Sequence, residues 1–217
     1  VSDAAASNWW RRARDGENLV VTVALFAMML LPLMESGLRF LPKLRISGVQ
    51  SVVQHLTLVV GMLGGAIAAR ENRLLALSTI TTYLHGRWKT AATVFSHSVA
   101  AAVTAFLCVA GVQFAMSERT AGNVIAYGFP TWVAQLLIPL GFALVAVRLL
   151  WHASADWRGR VMAALCAAAF VAMALWLPIS PAQLKWPALA ALLAATVLGA
   201  PVFSTLGGAA LILFWAA

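Results

Sequence analysis

Asp, Glu, Lys and Arg are absent from this chain over lengths that few folds tolerate. None occurs from Val49 to Ala69, Thr90 to Ser117, Thr120 to Val147 or Val161 to Leu184. A shorter charge-free run covers Asn18 to Met34, and a last one extends from Trp186 to Ala217. A helix rises about 1.5 Å per residue, so about 20 apolar residues cross the ~30 Å hydrocarbon core of a bilayer. A water-soluble domain of 217 residues cannot hide this much apolar surface. The expected fold class is all-α, a polytopic membrane helical bundle.

Composition agrees. The chain is 62% hydrophobic and 10% charged, with a mean hydropathy of +0.88, which excludes a disordered or nucleic-acid-binding chain. The net charge of +8 resides in short loops between apolar runs, where topology and lipid headgroups account for it. Cys108 and Cys166 both fall inside apolar runs and read as small buried side chains, not a disulfide framework. No A-x-A-like site follows the first apolar run, so no cleavable signal peptide is expected.

Along the chain, residues 1–18 form an expected interfacial anchor, with Trp9 and Trp10 at headgroup depth and Arg11 and Arg12 on the aqueous side. Spans are expected from about Leu19 to Met34, Val52 to Ala69, Ala91 to Met116, Thr131 to Leu150 and Val161 to Leu177. A sixth apolar segment starts at Trp186 and is interrupted at Gly199-Ala200-Pro201. With the N-terminus in the cytoplasm, the inside receives Arg11, Arg12, Arg14, Arg70, Arg73, Arg87, Lys89, Arg148, Arg158 and Arg160. The outside receives Arg39, Lys43, Arg45, Arg119 and Lys185. That asymmetry favours a cytoplasmic N-terminus in an inner membrane.

Gly61 and Gly65 form a small-x-x-x-small face on the second span, where another helix backbone can approach closely. The next segment, Arg70-Glu71-Asn72-Arg73 through Tyr83 to Lys89, reads as a cytoplasmic helix end followed by an interfacial amphipathic turn or helix. Arg70, Glu71 and Arg73 are its expected contacts to a partner or to lipid phosphates.

Enzymatic signals are poor, and no catalytic or metal-binding residue is assigned. The histidines are His55, His85, His97 and His152. His55 and His97 are expected about a membrane apart, which leaves His97 with His152 as the pair for the alternative reading, a haem-binding redox anchor, although His152 after Trp151 at a helix end also reads as an ordinary interfacial residue. Ser96-His97-Ser98 is no catalytic pair, because adjacent helical residues point in different directions. Glu35, Glu118 and Arg119 all lie at span ends, so the first four spans offer no acidic or basic path for an ion. This favours a scaffold over a self-sufficient carrier.

Two motifs add a resemblance. Gln54-His55-Leu56-Thr57, Gly61-Met-Leu-Gly64-Gly65-Ala66 and Ala69-Arg70-Glu71 resemble the small membrane subunit (DctQ-like) of tripartite ATP-independent periplasmic, or TRAP, transporters. Phe129-Pro130-Thr131-Trp132, Gln135 to Phe142 and Arg148-Leu-Leu-Trp151 resemble that family's fourth span. This chain has Leu74 where family members often carry a His after the Arg-Glu pair. Near the C-terminus, Leu198 to Phe203 and Leu206 to Leu211 are similar to the opening of the large, DctM-like subunit, which some members carry as a fusion.

The resemblance implies a four-helix small subunit over 19–155, a connector transmembrane helix over 156–185 and the start of a large subunit over 186–217. It also implies a scaffold role in sodium-coupled uptake of small organic anions such as carboxylates. A periplasmic binding protein would deliver the substrate, and sodium ions would bind the large subunit and not this chain.

Overall fold

The computed structural model describes residues 2–38, 48–76, 85–125, 128–154, 156–176 and 181–215, with side chains from residue 11 onward except 174–176 and 181–184. The described residues form eight helices: α1 (Ser2–Leu38), α2 (Val49–Arg70), α3 (Arg87–Ala121), α4 (Thr131–Gln135), α5 (Leu137–His152), α6 (Trp157–Trp176), α7 (Pro181–Val197) and α8 (Val202–Trp215). Among them there is no β-strand, only isolated bridges between Ala76 and Pro201 and between Val124 and Pro130. Four stretches are long and apolar enough to cross a membrane: Arg11–Leu38, Val49–Arg70, Arg87–Ala121 and Thr131–His152. The all-α polytopic architecture read from the charge pattern is the one observed. Within the stretch read as a connector lies α6, a helix of 20 residues whose last side chains lie outside the described ones.

Two boundaries differ from the sequence reading. The N-terminal anchor is no separate segment: its residues continue into the first span as one helix of 37 residues. At about 1.5 Å per residue that helix is ~55 Å long, so its polar end extends well past a ~30 Å core. The fourth span is interrupted at Leu136. Pro139 lacks the N–H that would bond the carbonyl of Gln135, and its ring crowds that carbonyl, so the helix breaks one turn before the proline. The ladder resumes with the Leu140 amide donating to the Leu136 carbonyl at 3.3 Å.

Helix ends follow local rules. Asn72 has φ +52°, its amide donates to the Ala69 carbonyl, and the Arg73 amide donates to the Ala68 carbonyl at 2.9 Å. This Schellman cap ends α2 with Asn in the left-handed position. Gly199 does the same for α7 at φ +94°, with the Ala200 amide on the Ala195 carbonyl at 2.8 Å.

The chain divides into two compact units. The first comprises 1–67 and 111–141. In it the Thr57 hydroxyl of α2 donates to Met28 Sδ of α1 at 3.3 Å, and Gly141 lies against Met62. Along α1 the apolar side chains Leu19, Val23, Phe26, Met29 and Leu33 are all exposed, as expected of a lipid-facing helix. The second unit comprises 68–110 and 142–217. Its core joins Val99, Leu192, Ala195 and Ala200, with Phe95, Val103, Phe170, Ala209 and Ile212 packed around them. The buried hydroxyls of Ser96, Ser98, Thr104, Thr196 and Ser204 each donate to a carbonyl three or four residues back, so none costs an unsatisfied donor in an apolar setting.

Candidate partner interface

Helix α2 places Gly61 and Gly65 one turn apart on a single face. A Cβ built on Gly61, Gly64 or Gly65 meets nothing within 4 Å among the described residues. The stripe is therefore open, and no helix of the described chain uses the close approach it permits. Tight glycines lie elsewhere. A Cβ on Gly111 would stand 3.0 Å from Ile138 Cγ2 and 3.2 Å from the Pro139 nitrogen, and one on Gly208 would stand 3.0 Å from both Leu192 Cδ1 and Val103 Cγ2.

At the end of α2, Arg70 Nε donates to Glu71 Oε1 at 3.0 Å; Glu71 is half-exposed and Arg73 is exposed. Beyond the Asn72 cap, where an amphipathic turn or helix is expected, the chain does not continue as a helix through Ala76. It turns extended, and the Leu75 carbonyl accepts the Val202 amide at 2.8 Å beside the Ala76–Pro201 bridge. The physical reason lies at both partners. Pro201 and the break after α7 leave the first amides of α8 without intrahelical acceptors, and the strand-like segment supplies one. Leu77 to Leu84 lie outside the described residues, and with them the middle of the expected amphipathic segment.

The expected N-terminal anchors divide in the same way. Arg11 and Arg12 are exposed on α1, while the side chains of Trp9 and Trp10 lie outside those described. Two aromatic–cation pairs that were not anticipated sit at span ends: Arg119 over Trp132 at 5.4 Å in the first unit, and Arg160 over Trp151 at 4.4 Å in the second. Both combine an indole with a guanidinium, the pairing suited to the membrane–water boundary. The signal was legible as Arg and Trp at helix ends, but nothing in the linear spacing joins residues 119 and 132.

His97 and His152 are each tied to their own helix, Nδ1 to the Thr93 carbonyl at 2.9 Å and to the Arg148 carbonyl at 2.8 Å. No group of three or more His, Cys, Asp or Glu side chains able to hold a metal ion occurs among the described residues. Neither finding supports a haem anchor.

Residues 28–159 match the protein family described as tripartite ATP-independent periplasmic transporters, DctQ component. No curated protein and no solved structure matches the chain. The family match takes in the last part of the first apolar helix, from residue 28, and the whole of the other three that are long enough to cross a bilayer, and it covers more than half of the 217 residues. This chain, with its apolar spans and the motifs at the end of α2, belongs to the DctQ component family of the tripartite ATP-independent periplasmic transporters.

Proposed function

We propose that this chain is the scaffold of a TRAP transporter: it enlarges and anchors the rigid frame against which a large, DctM-like subunit carries substrate. The charge-free interior of the four spans carries this reading. Asp, Glu, Lys and Arg are confined to their ends, so a member of a transporter family lacks in this part the ionisable groups that mark ion pathways. The open Gly61–Gly65 stripe is a face on which the large subunit's backbone can lie close. Arg70, Glu71 and Arg73 are the polar contacts at the end of the same helix, and Trp9, Trp10, Arg11 and Arg12 the interfacial anchor.

On this reading the protein sits in the inner membrane with its N-terminus in the cytoplasm, the side that receives the greater share of Lys and Arg. A periplasmic binding protein delivers small organic anions, such as carboxylates, and sodium ions bind the large subunit. The segment from Leu198 to Leu211 supports a covalent connection to that subunit. The haem-anchor reading gains nothing from the family match, and an absorption spectrum without a Soret band disposes of it.

The deciding experiment is a mild-detergent pull-down of the tagged protein from its own membranes, with the mass of every band measured. A tagged band far above 23.0 kDa, or a tightly held large hydrophobic partner, is expected. A lone species at 23.0 kDa, or solute uptake by this chain alone in proteoliposomes, would overturn the scaffold reading.

A further inference from the structure

Within the second unit, the N-terminal part of α3 and α6 flank an open groove of about 640 Å³. Its walls are apolar, with Val94, Phe95, Met162, Phe170 and Met173 among them, and Arg87 is the charged side chain that lines it among the described residues. Arg87 is the first residue of α3 and Gly159 the third of α6, so the charged end of the groove coincides with the start of both helices. Deeper in, Phe95 and Phe170 meet edge to face, with ring centroids 6.1 Å apart. From Gly159 to Met173 the helix advances about 21 Å, somewhat more than one leaflet's half of a ~30 Å core.

The charged end has the chemistry of a headgroup layer. Lys89 and Arg158 are exposed beside Arg87 in sequence and along α6, and Trp88 and Trp157 are 76% and 70% exposed. Asp156 is the exposed acid there among the described residues, which leaves cations in excess. Arg160 is already engaged, stacked on Trp151 with its Nε donating to the Ser154 carbonyl. Exposed indoles mark interfacial depth, and clustered Lys and Arg at that depth attract anionic lipid.

We propose that this groove holds one acyl chain of an anionic phospholipid, with the phosphate of its headgroup at Arg87. Apolar walls one leaflet long match a hydrocarbon tail, and a cationic mouth matches the charge above it. A transmembrane helix laid in the same groove would bring apolar side chains to that mouth and leave Arg87 without an anion.

Native mass spectrometry of the tagged protein, delipidated and then titrated with phosphatidylglycerol or phosphatidylcholine, tests this. One phosphatidylglycerol is expected to bind per chain, about fivefold tighter than phosphatidylcholine, the factor that one interfacial cation contributes. Arg87→Gln is expected to remove that preference and Arg87→Lys to keep it, while Ala169→Trp, which fills the groove, abolishes binding of both lipids. Arg87 is exposed at the start of α3, so its variants test the headgroup end even if Ala169→Trp fails to fold. Equal affinity for the two lipids, with Arg87→Gln silent, would overturn the proposal. So would Cys166, exposed on the groove wall, staying unreactive to a thiol reagent after lipid removal from the intact transporter, since protein would then cover the groove.

Discussion

Two glycine pairs in this chain, one spaced by four residues and one adjacent, behave differently in space. Gly61 and Gly65 on α2 face open space among the described residues, whereas Gly207 and Gly208 on α8 are pressed against Leu107, Leu192 and Val103. Both pairs lie in apolar helices rich in small residues. In lipid there is no hydrophobic gain from covering one apolar face over another, so helices associate where small residues let atoms come close enough for dispersion and hydrogen bonds. An occupied pair reports packing inside the chain. An open pair reports none among the described residues, and under the proposed function it is free for a partner.

That contrast is broken most severely by Gly208→Leu. Even a Cβ there would stand 3.0 Å from two side chains, so a leucine forces the second unit's core apart. A loss of about 1–3 kcal/mol is expected, measured as a lowered unfolding transition in detergent. Unchanged unfolding would mean that α8 is not held where the structure places it.

Thr196→Val is a milder blow to the same region. It removes the 2.8 Å hydrogen bond between the hydroxyls of Thr196 and Thr205, which links α7 to α8. About 0.6 kcal/mol is expected, the average for such bonds between membrane helices, read from the same unfolding curve.

Glu71→Gln breaks the Arg70–Glu71 pair, whose carboxylate is half-exposed. A change within about 0.5 kcal/mol is expected in the isolated chain. A large loss of stability would show this pair to be a structural element of the chain itself, rather than a contact for a partner.

The smallest effect on the fold is expected from Gly61→Leu combined with Gly65→Leu, because both Cβ positions are open. Unfolding of the chain alone should shift by less than about 0.5 kcal/mol. Co-purification with the large subunit and substrate uptake should both fall. Retention of both would remove the stripe from the interface and leave the open pair without a role.

Much of the architecture was legible in the residues, for local reasons. The helix break after α7 was marked by Gly199-Ala200-Pro201, since glycine takes the left-handed cap and proline cannot continue the ladder. The interruption at Leu136 was equally local, and Pro139 marks it, yet the fourth span read as unbroken because hydropathy carries no backbone information. The candidate interface residues were legible only as types. Gly61 and Gly65 were visible as a stripe, and Arg70 and Glu71 as a charged helix end; their surroundings were not. The Leu75–Val202 pairing escaped entirely, because it joins residues far apart in the chain through backbone atoms that every residue has.

By itself the sequence determined that this chain lives in a membrane, where its apolar runs lie, and which transporter family it belongs to. The physical cause is the cost of charge and of unpaired backbone in hydrocarbon, which writes span lengths directly into composition. The tertiary structure decided which small residues are filled and which are open, which cations stack on which indoles, and where α3 and α6 leave a groove. A helix apolar on every side carries no amphipathic signal to say which face meets protein and which meets lipid, so those choices arise only when the helices are placed together.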